Sequence, residues 1–345
     1  MPIKILSRRI GVDYKPFIIA EISANHNQSI SKALKIIKGA AEAGVDAVKL
    51  QTYTAETMTL KKRNIIQDKK SPWQGKDLYE LYKKGSTPWK WHKKLFSYAN
   101  KLGLIAFSTP FDISSVDFLK KLKVPLYKIS SFEITDLPLI KKVALTKKPI
   151  ILSTGMATFL EIKEAVKILK KNGANQIILL KCTSAYPTQA EDVNLSTIPV
   201  LRKKFKCEVG LSDHTIGEVS AIASIGYGAT VIEKHVTLDK KNSIDGLFSL
   251  DLAELKKFVR NIRYAKKCSG QIRFGPTRNE LKNLKYRRGI VAIKKIKKGE
   301  KLSDINVKCM RGVNGLKPKF YFKIINRISK KNINYGEPIK LSHCM

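Results

Sequence analysis

Eight short β-branched runs, each followed by a segment of helical periodicity, fill the first 268 residues. They are FIIAEIS (17–23), AVKLQTY (47–53), LIAFSTP (104–110), LYKISS (126–131), PIILSTG (149–155), QIILLKCTS (176–184), CEVGLSD (207–213) and TVIEKHV (230–236). Strands that alternate with helices form parallel sheets, because a parallel connection needs a dozen or more residues and a helix fills them compactly. The intervening segments place apolar residues three or four apart: Ile30, Leu34, Ile37 and Ala41; Ile162, Val166 and Leu169; Leu252, Leu255, Val259 and Ile262. Gly44, Gly103 and Gly173 stand just before strands, where a helix ends in the left-handed conformation. Eight βα units in about 250 residues predict an α/β fold, a (β/α)8 TIM barrel.

The longest connection, 54–86, is rich in aromatics and glycine, the make-up of a lid or binding loop. Residues 269–286 read as a linker, and 287–345, with their short runs and Lys-Gly turn, as a small separate domain. No apolar run approaches the ~18 residues of a membrane span, and MPIKILSRRI lacks the apolar core of a signal peptide. A cytoplasmic protein without membrane contact is expected. The five cysteines are scattered and never spaced as C-x-x-C, so neither a disulfide framework nor a structural zinc site is suggested. The formal charge of +38 permits a nucleic-acid-binding protein. Yet the lysines are spread along the whole chain, and no basic face with interleaved aromatics appears. We read the charge as solvated faces able to steer an anionic substrate, with no nucleic-acid partner.

Each run is apolar within and polar at its carboxyl end. Glu21 and Asn25–His26, Lys49 and Gln51, Ser108 and Thr109, Lys128 and Ser131 with Glu133 close the first four. Ser153 and Thr154, Lys181 to Ser184, Ser212 to His214, and His235 close the others. In a barrel these ends converge on the face where catalysis takes place. Strand-terminal Ser or Thr also caps helices, so Ser153 or Thr154 alone decides nothing. Lys49 and Lys128 lie inside interior strands and need an anionic partner. Either structural ion pairs satisfy them, or, with the hydroxyls of Thr109, Ser131, Ser153 and Ser212, they bind a phosphate and a carboxylate; we favour the second. His214 and His235 end neighbouring strands, and two neutral imidazoles suit a divalent metal, although a bare pair is a weak signal. Glu21, Glu133 and Asp245 are available for proton transfer and for sugar hydroxyls or amides. His92 and His343 lie outside the strand ends and receive no role.

The segments IIAEISANHN, GVDAVKLQTY, FSTPFD, YKISSFEITDLPLI, ILSTGMAT, KCTSAYPT, GLSDHT, IEKHVTLD and IDGLFSLD resemble, in order and spacing, the sialic acid synthase family. The tail RRGIVAIKKIKKGEKLSDINV resembles its carboxy-terminal antifreeze-like (SAF) domain. The resemblance implies condensation of phosphoenolpyruvate with an acylamino sugar, with a divalent metal, Mn2+ first and Mg2+ or Co2+ as alternatives. It places metal ligands at His214 and His235. It places phosphoenolpyruvate contacts at Lys49, Thr109, Lys128, Ser131, Ser153 and Ser212, and sugar contacts at Gln51, Glu133, Tyr186 and Asp245. It also implies a domain-swapped homodimer in which Arg311 enters the partner's site. EISANHN and SFEITDLPLI are most similar to the branch whose sugar is 2,4-diacetamido-2,4,6-trideoxy-L-altrose. The N-acetylneuraminate and diacetyllegionaminate branches are the alternatives, and Ser184, where asparagine often precedes the Tyr-Pro pair, disfavours N-acetylmannosamine. Glu21 and Glu133 are the candidates for handling protons, their order left open.

Overall fold

A computed structural model describes residues 3–69 and 71–344. The chain divides at Gly270 and Gln271 into two compact units. Among the described residues no helix is long and apolar enough to cross a membrane.

In the first unit two three-residue strands, β1 (Ile3–Ile5) and β2 (Arg8–Ile10), form an antiparallel hairpin. Eight parallel strands follow: β3 (Phe17–Glu21), β4 (Ala47–Thr52), β5 (Ile105–Pro110), β6 (Tyr127–Ile129), β7 (Ile150–Ser153), β8 (Ile177–Cys182), β9 (Glu208–Asp213) and β10 (Val231–His235). They close into a barrel in sequence order, β10 pairing with β3 from Val231 opposite Phe17 to His235 opposite Glu21. The predicted runs overshoot the strands where the backbone turns early. Ser130–Ser131 and Thr154–Gly155 have left the sheet and belong to the loops over the barrel mouth.

Side chains alternate inward and outward along each strand. The outward set, including Ile18, Val48, Leu50, Ile150 and Leu179, packs against the helices. The inward set begins apolar, and Phe17, Ile19, Ile105, Phe107, Ile151 and Val231 form one cluster with Ile3, Ile5 and Ile10. The hairpin therefore plugs the amino end of the barrel; its strands are too short to stand out as periodicity. Gly210 continues the inward row of β9, where an added Cβ would lie 2.1 Å from the Val231 carbonyl oxygen. One step further along, the inward positions become Glu21, Lys49, Lys128, Ser212 and Glu233.

The helix Ile30–Ala43 begins at Ser29, whose hydroxyl accepts from the Lys32 amide, and ends at Gly44 with φ 83°. Gly103 and Gly173 likewise have positive φ. The buried face of that first helix is Ala33, Ile36, Ile37, Gly39 and Ala40, while the predicted Ile30, Leu34 and Ala41 sit at its edge. A Cβ on Gly39 would stand 2.4 Å from Leu252, so the small residues face the neighbouring helix Leu252–Ser269 and turn the stripe.

In the second unit β11 (Arg288–Ala292) pairs antiparallel with β12 (Val307–Arg311) over Ile290, Ile296, Leu302, Val307, Ile324 and Ile333. Residues 271–286 before it are exposed apart from Pro276.

Two histidines serve the wall of the first unit. His92 Nε2 lies 2.8 Å from Thr52 Oγ1, and His26 Nε2 lies 3.1 Å from Thr87 Oγ1. Burial pushes both imidazoles down to about 4. The folded protein thus refuses protons that the unfolded chain takes up below its ordinary value of 6.5. Their stabilisation is complete above that value and is lost as pH falls toward 4, each contributing a slope of about 1.4 kcal/mol per pH unit. In urea titrations across this window, His92→Gln is expected to reduce the slope by about that amount, and an unchanged slope would refute the assignment.

Candidate active site

A cavity of about 550 Å3 opens at the carboxyl ends of the strands. Its floor is a layer of buried charge. Lys49 Nζ lies 2.7 Å from Glu21 Oε2, 3.8 Å from Glu233 Oε1 and 3.1 Å from Thr109 Oγ1. Lys128 Nζ is 3.5 Å from the same Glu233 oxygen, to which Ser212 Oγ donates at 3.0 Å. All four charged groups are buried. Burial raises the Glu21 carboxyl, Lys49 only partly offsetting it. Burial also pushes Glu233 up, but Lys128 and Lys49 outweigh it and hold that carboxyl low. Lys49 is held above its ordinary range because Glu21 and Glu233 outweigh its burial, whereas burial wins at Lys128 and lowers it.

Glu233 is absent from the sequence-derived site. The signal was available: in VIEKH, residues 231, 233 and 235 share one face of a strand. Lys234 has the opposite parity and pairs outward with Asp213 at 2.7 Å. Cys182 lines the cavity by the same inward count. Burial would raise its thiol, but His214 foremost brings it down to about 7.

The rings of His214 and His235 stand side by side, centroids 5.3 Å apart. Nδ1 of His214 lies 2.9 Å from the Thr183 carbonyl oxygen, which only accepts, so Nδ1 carries a proton, and in the neutral ring Nε2 keeps its lone pair. His235 has a buried Nδ1 without a hydrogen-bond partner among the described residues. Among the described residues no group of three or more His, Cys, Asp or Glu is placed to hold a metal ion. The donor set is these two imidazoles. One nitrogen freed by a carbonyl and one orphaned fit a divalent ion whose remaining positions go to water and substrate oxygens.

The polar groups on the opposite side form a connected chain. Gln51 Nε2 donates to Glu21 Oε1 at 3.1 Å and to Ser23 Oγ at 2.9 Å. Ser23 Oγ donates to Asp245 Oδ2 at 2.5 Å, while burial raises that carboxyl. Glu133 is contacted by the Ser130 hydroxyl and is also raised by burial. Tyr186 lies between His214, at 4.5 Å, and Trp73, at 5.6 Å. Ser131 Oγ accepts from the Gly155 amide at 3.1 Å, and a Cβ on Gly155 would approach Ser184 Oγ to 2.3 Å. Among the described residues the buried hydroxyl of Ser153 has no partner, whereas Thr154 donates to the Leu180 carbonyl, which separates the free member of that pair from the structural one.

Three strand-end residues turn elsewhere. His26 packs edge-on against Trp91, Asn25 holds the Asp245 loop through its amide, and the Lys181 ammonium turns to Thr183 and the Cys182 carbonyl. Arg311 is exposed at the end of β12 and belongs to the second unit.

Residues 36–273 match the NeuB family and residues 287–344 the SAF domain. The chain is 44% identical over 335 residues to the pseudaminic acid synthase of Campylobacter jejuni strain 81-176, covering 96% of this chain and 97% of that protein. It is 41% identical over 336 residues to the N,N'-diacetyllegionaminic acid synthase of Campylobacter jejuni strain NCTC 11168, covering 94% and 99%. The solved structure of N-acetylneuraminic acid synthetase from Leptospira borgpetersenii, in complex with citrate, matches with a TM-score of 0.75 at 32% identity. That match covers 83% of this chain and 96% of the other.

Removing one partner of a buried charge cluster leaves the others uncompensated. Glu233→Gln is therefore expected to destabilise the first unit by about 3–5 kcal/mol in urea unfolding. A variant within about 0.5 kcal/mol of the parent would show that Glu233 is not the counter-charge of the two lysines.

Proposed function

The chain belongs to the NeuB family, and on that premise we propose that it is a pseudaminic acid synthase. It condenses phosphoenolpyruvate with 2,4-diacetamido-2,4,6-trideoxy-L-altrose and water, giving pseudaminic acid and phosphate. The observation that carries this reading is the pair of buried ammonium groups, Lys49 and Lys128, on the floor of a cavity that also holds two adjacent imidazoles.

Lys49 and Lys128 bind the phosphate and carboxylate of phosphoenolpyruvate, helped by the hydroxyls of Thr109, Ser131, Ser153 and Ser212. Fixed charges act strongly there because water is excluded. The unpartnered Ser153 hydroxyl and the short reach from Lys49 to Thr109 support these roles. Gln51, Glu133, Tyr186 and Asp245 hold the open-chain sugar with its aldehyde toward His214 and His235. A divalent metal, Mn2+ or alternatively Mg2+ or Co2+, would be held by those two histidines and, when bound, polarises a carbonyl oxygen as a Lewis acid.

C3 of phosphoenolpyruvate forms the new bond to C1 of the sugar, and C2 is left electron-poor. Water adds at C2, and the C2–O bond to phosphate breaks. Of the two protons of water, one leaves with phosphate as the C2 hydroxyl becomes the ketone, and the other balances that gained by the new C1 hydroxyl. Glu133, which burial favours in its protonated form, is suited to give that proton, and Glu21 to relay the one from water. Arg311 acts on the sugar from a second copy of the chain in a domain-swapped homodimer. Its exposure and its lack of an ion pair among the described residues support this role. The phosphoenolpyruvate requirement points to the cytoplasm.

Phosphate release from phosphoenolpyruvate with manganese, measured in parallel with the altrose-configured sugar, the legionaminate precursor and N-acetylmannosamine, tests the reading. Turnover is expected with the first alone; turnover with another alone would move the protein to a sister branch. His235→Ala is expected to abolish turnover while leaving the circular dichroism spectrum unchanged, and an active variant with the same metal dependence would remove the ligand assignment. Arg311→Ala is expected to raise KM for the sugar far more than KM for phosphoenolpyruvate.

A further inference from the structure

On the function proposed above, the charged floor takes phosphoenolpyruvate and the two histidines face the sugar aldehyde, so discrimination between acceptors falls to whatever meets the other end of the sugar. That region is walled by the 54–86 connection, which sends Met58, Ile66, Leu78 and Leu81 to the cavity, each half-buried. The wall is built, not adrift. Ile66 donates its amide to the Lys76 carbonyl and accepts from the Gly75 amide, so the connection doubles back on itself. Asp77 accepts from the amides of Asn64 and Glu80 and caps the helix Leu78–Gly85. Leu78 and Leu81, three apart on that helix, share one face. Trp73 is pinned by its indole N–H to the Ile244 carbonyl at 3.1 Å. Through Tyr186 its ring continues a wall of rings from His214 up to the loop.

Four aliphatic side chains offer no hydrogen bond. A hydroxyl pressed against them gives up water without replacement, whereas a methyl group gains from the same burial. The polar groups assigned to the sugar, Gln51 in β4, Glu133 after β6 and Asp245 after β10, lie outside this connection, from which Thr57 and Tyr82 bring hydroxyls to the cavity beside the four apolar side chains.

We propose that Met58, Ile66, Leu78 and Leu81 set acceptor specificity by requiring a methyl group at C6, the end of the sugar remote from the reacting aldehyde. The proposal rests on the function proposed above and assigns the choice between 6-deoxy and 6-hydroxy acceptors to one side of the cavity.

The test compares kcat/KM for 2,4-diacetamido-2,4,6-trideoxy-L-altrose with that for its 6-hydroxy counterpart, phosphate release being followed with phosphoenolpyruvate saturating. The hydroxylated sugar is expected to be poorer by about tenfold to a hundredfold. Leu81→Asn, with the same heavy-atom branching but able to bond a hydroxyl, is expected to shrink that ratio about tenfold, and Leu81→Met to keep it. Equal kcat/KM for the two sugars in the parent protein, or an unchanged ratio in Leu81→Asn, would overturn the proposal. If Leu81→Asn does not fold, the parent comparison decides alone. Turnover of neither sugar, with N-acetylmannosamine or the legionaminate precursor accepted, would instead overturn the proposed function and the inference with it.

Discussion

Two lysines and two glutamates share the interior of a closed parallel barrel, and much else in the first unit follows from that layer. Withdrawing an ion from water costs several kcal/mol even after relaxation, so four such groups persist only where each finds an opposite charge within a few ångströms. Barrel closure supplies this. Lys49 meets Glu21 from the neighbouring strand, and Glu233, arriving from β10, lies within 4 Å of both lysines. The layer needs a dry floor, which the hairpin Ile3–Ile10 and the apolar inward residues provide. It also needs a strand that can approach closely, and Gly210, with no side chain opposite Val231, allows it.

The strands, their order and the polar carboxyl ends were legible because each is a local pattern: β-branched runs, a period of two, and a break in hydrophobicity. Lys49 and Lys128 were found as misfits within apolar runs. Glu233 lies in a similar run, but the terminal His235 dominates the pattern there, and only the period of two counted back from it brings Glu233 to the same face. The N-terminal hairpin was missed for a different reason. Three-residue strands carry no periodicity, and Ile3, Ile5 and Ile10 are core residues only because a barrel end is there to receive them. The buried stripe of the first helix was misplaced because Gly39 and Ala40, weak hydrophobes in sequence, are what permits close contact with Leu252. His26 looked catalytic by position, yet its tautomer and partner are settled by Thr87 and the Gln28 amide, long-range and local contacts that a strand-end pattern does not carry.

The sequence left open a choice between structural ion pairs and a substrate anion site, and the ion pairs are present without excluding the second reading. The lysines have carboxylate partners and still line the cavity. That arrangement is physically useful: an ammonium already desolvated and already oriented has less to reorganise when an anion arrives. It also accounts for the opposite displacements of the two lysines. Lys49 holds two carboxylates and stays firmly charged, while Lys128 shares one and stands nearer neutrality, the member of the pair with most to gain from a phosphate or carboxylate.

The surplus of positive charge has its place in the same picture. Among the described residues only three lysines and no arginine are buried, and all three face carboxylates. The excess of +38 therefore lies on the surface, where water and salt screen it. A field of that kind draws any polyanion toward the protein and does not discriminate among them. On the proposed function, selection begins inside the mouth, where the cavity offers a compact anion two buried ammonium groups and the far end of a sugar an apolar wall. Surface charge can thus raise the rate of encounter with phosphoenolpyruvate, while the discrimination stays with a few buried groups that the net charge does not reveal.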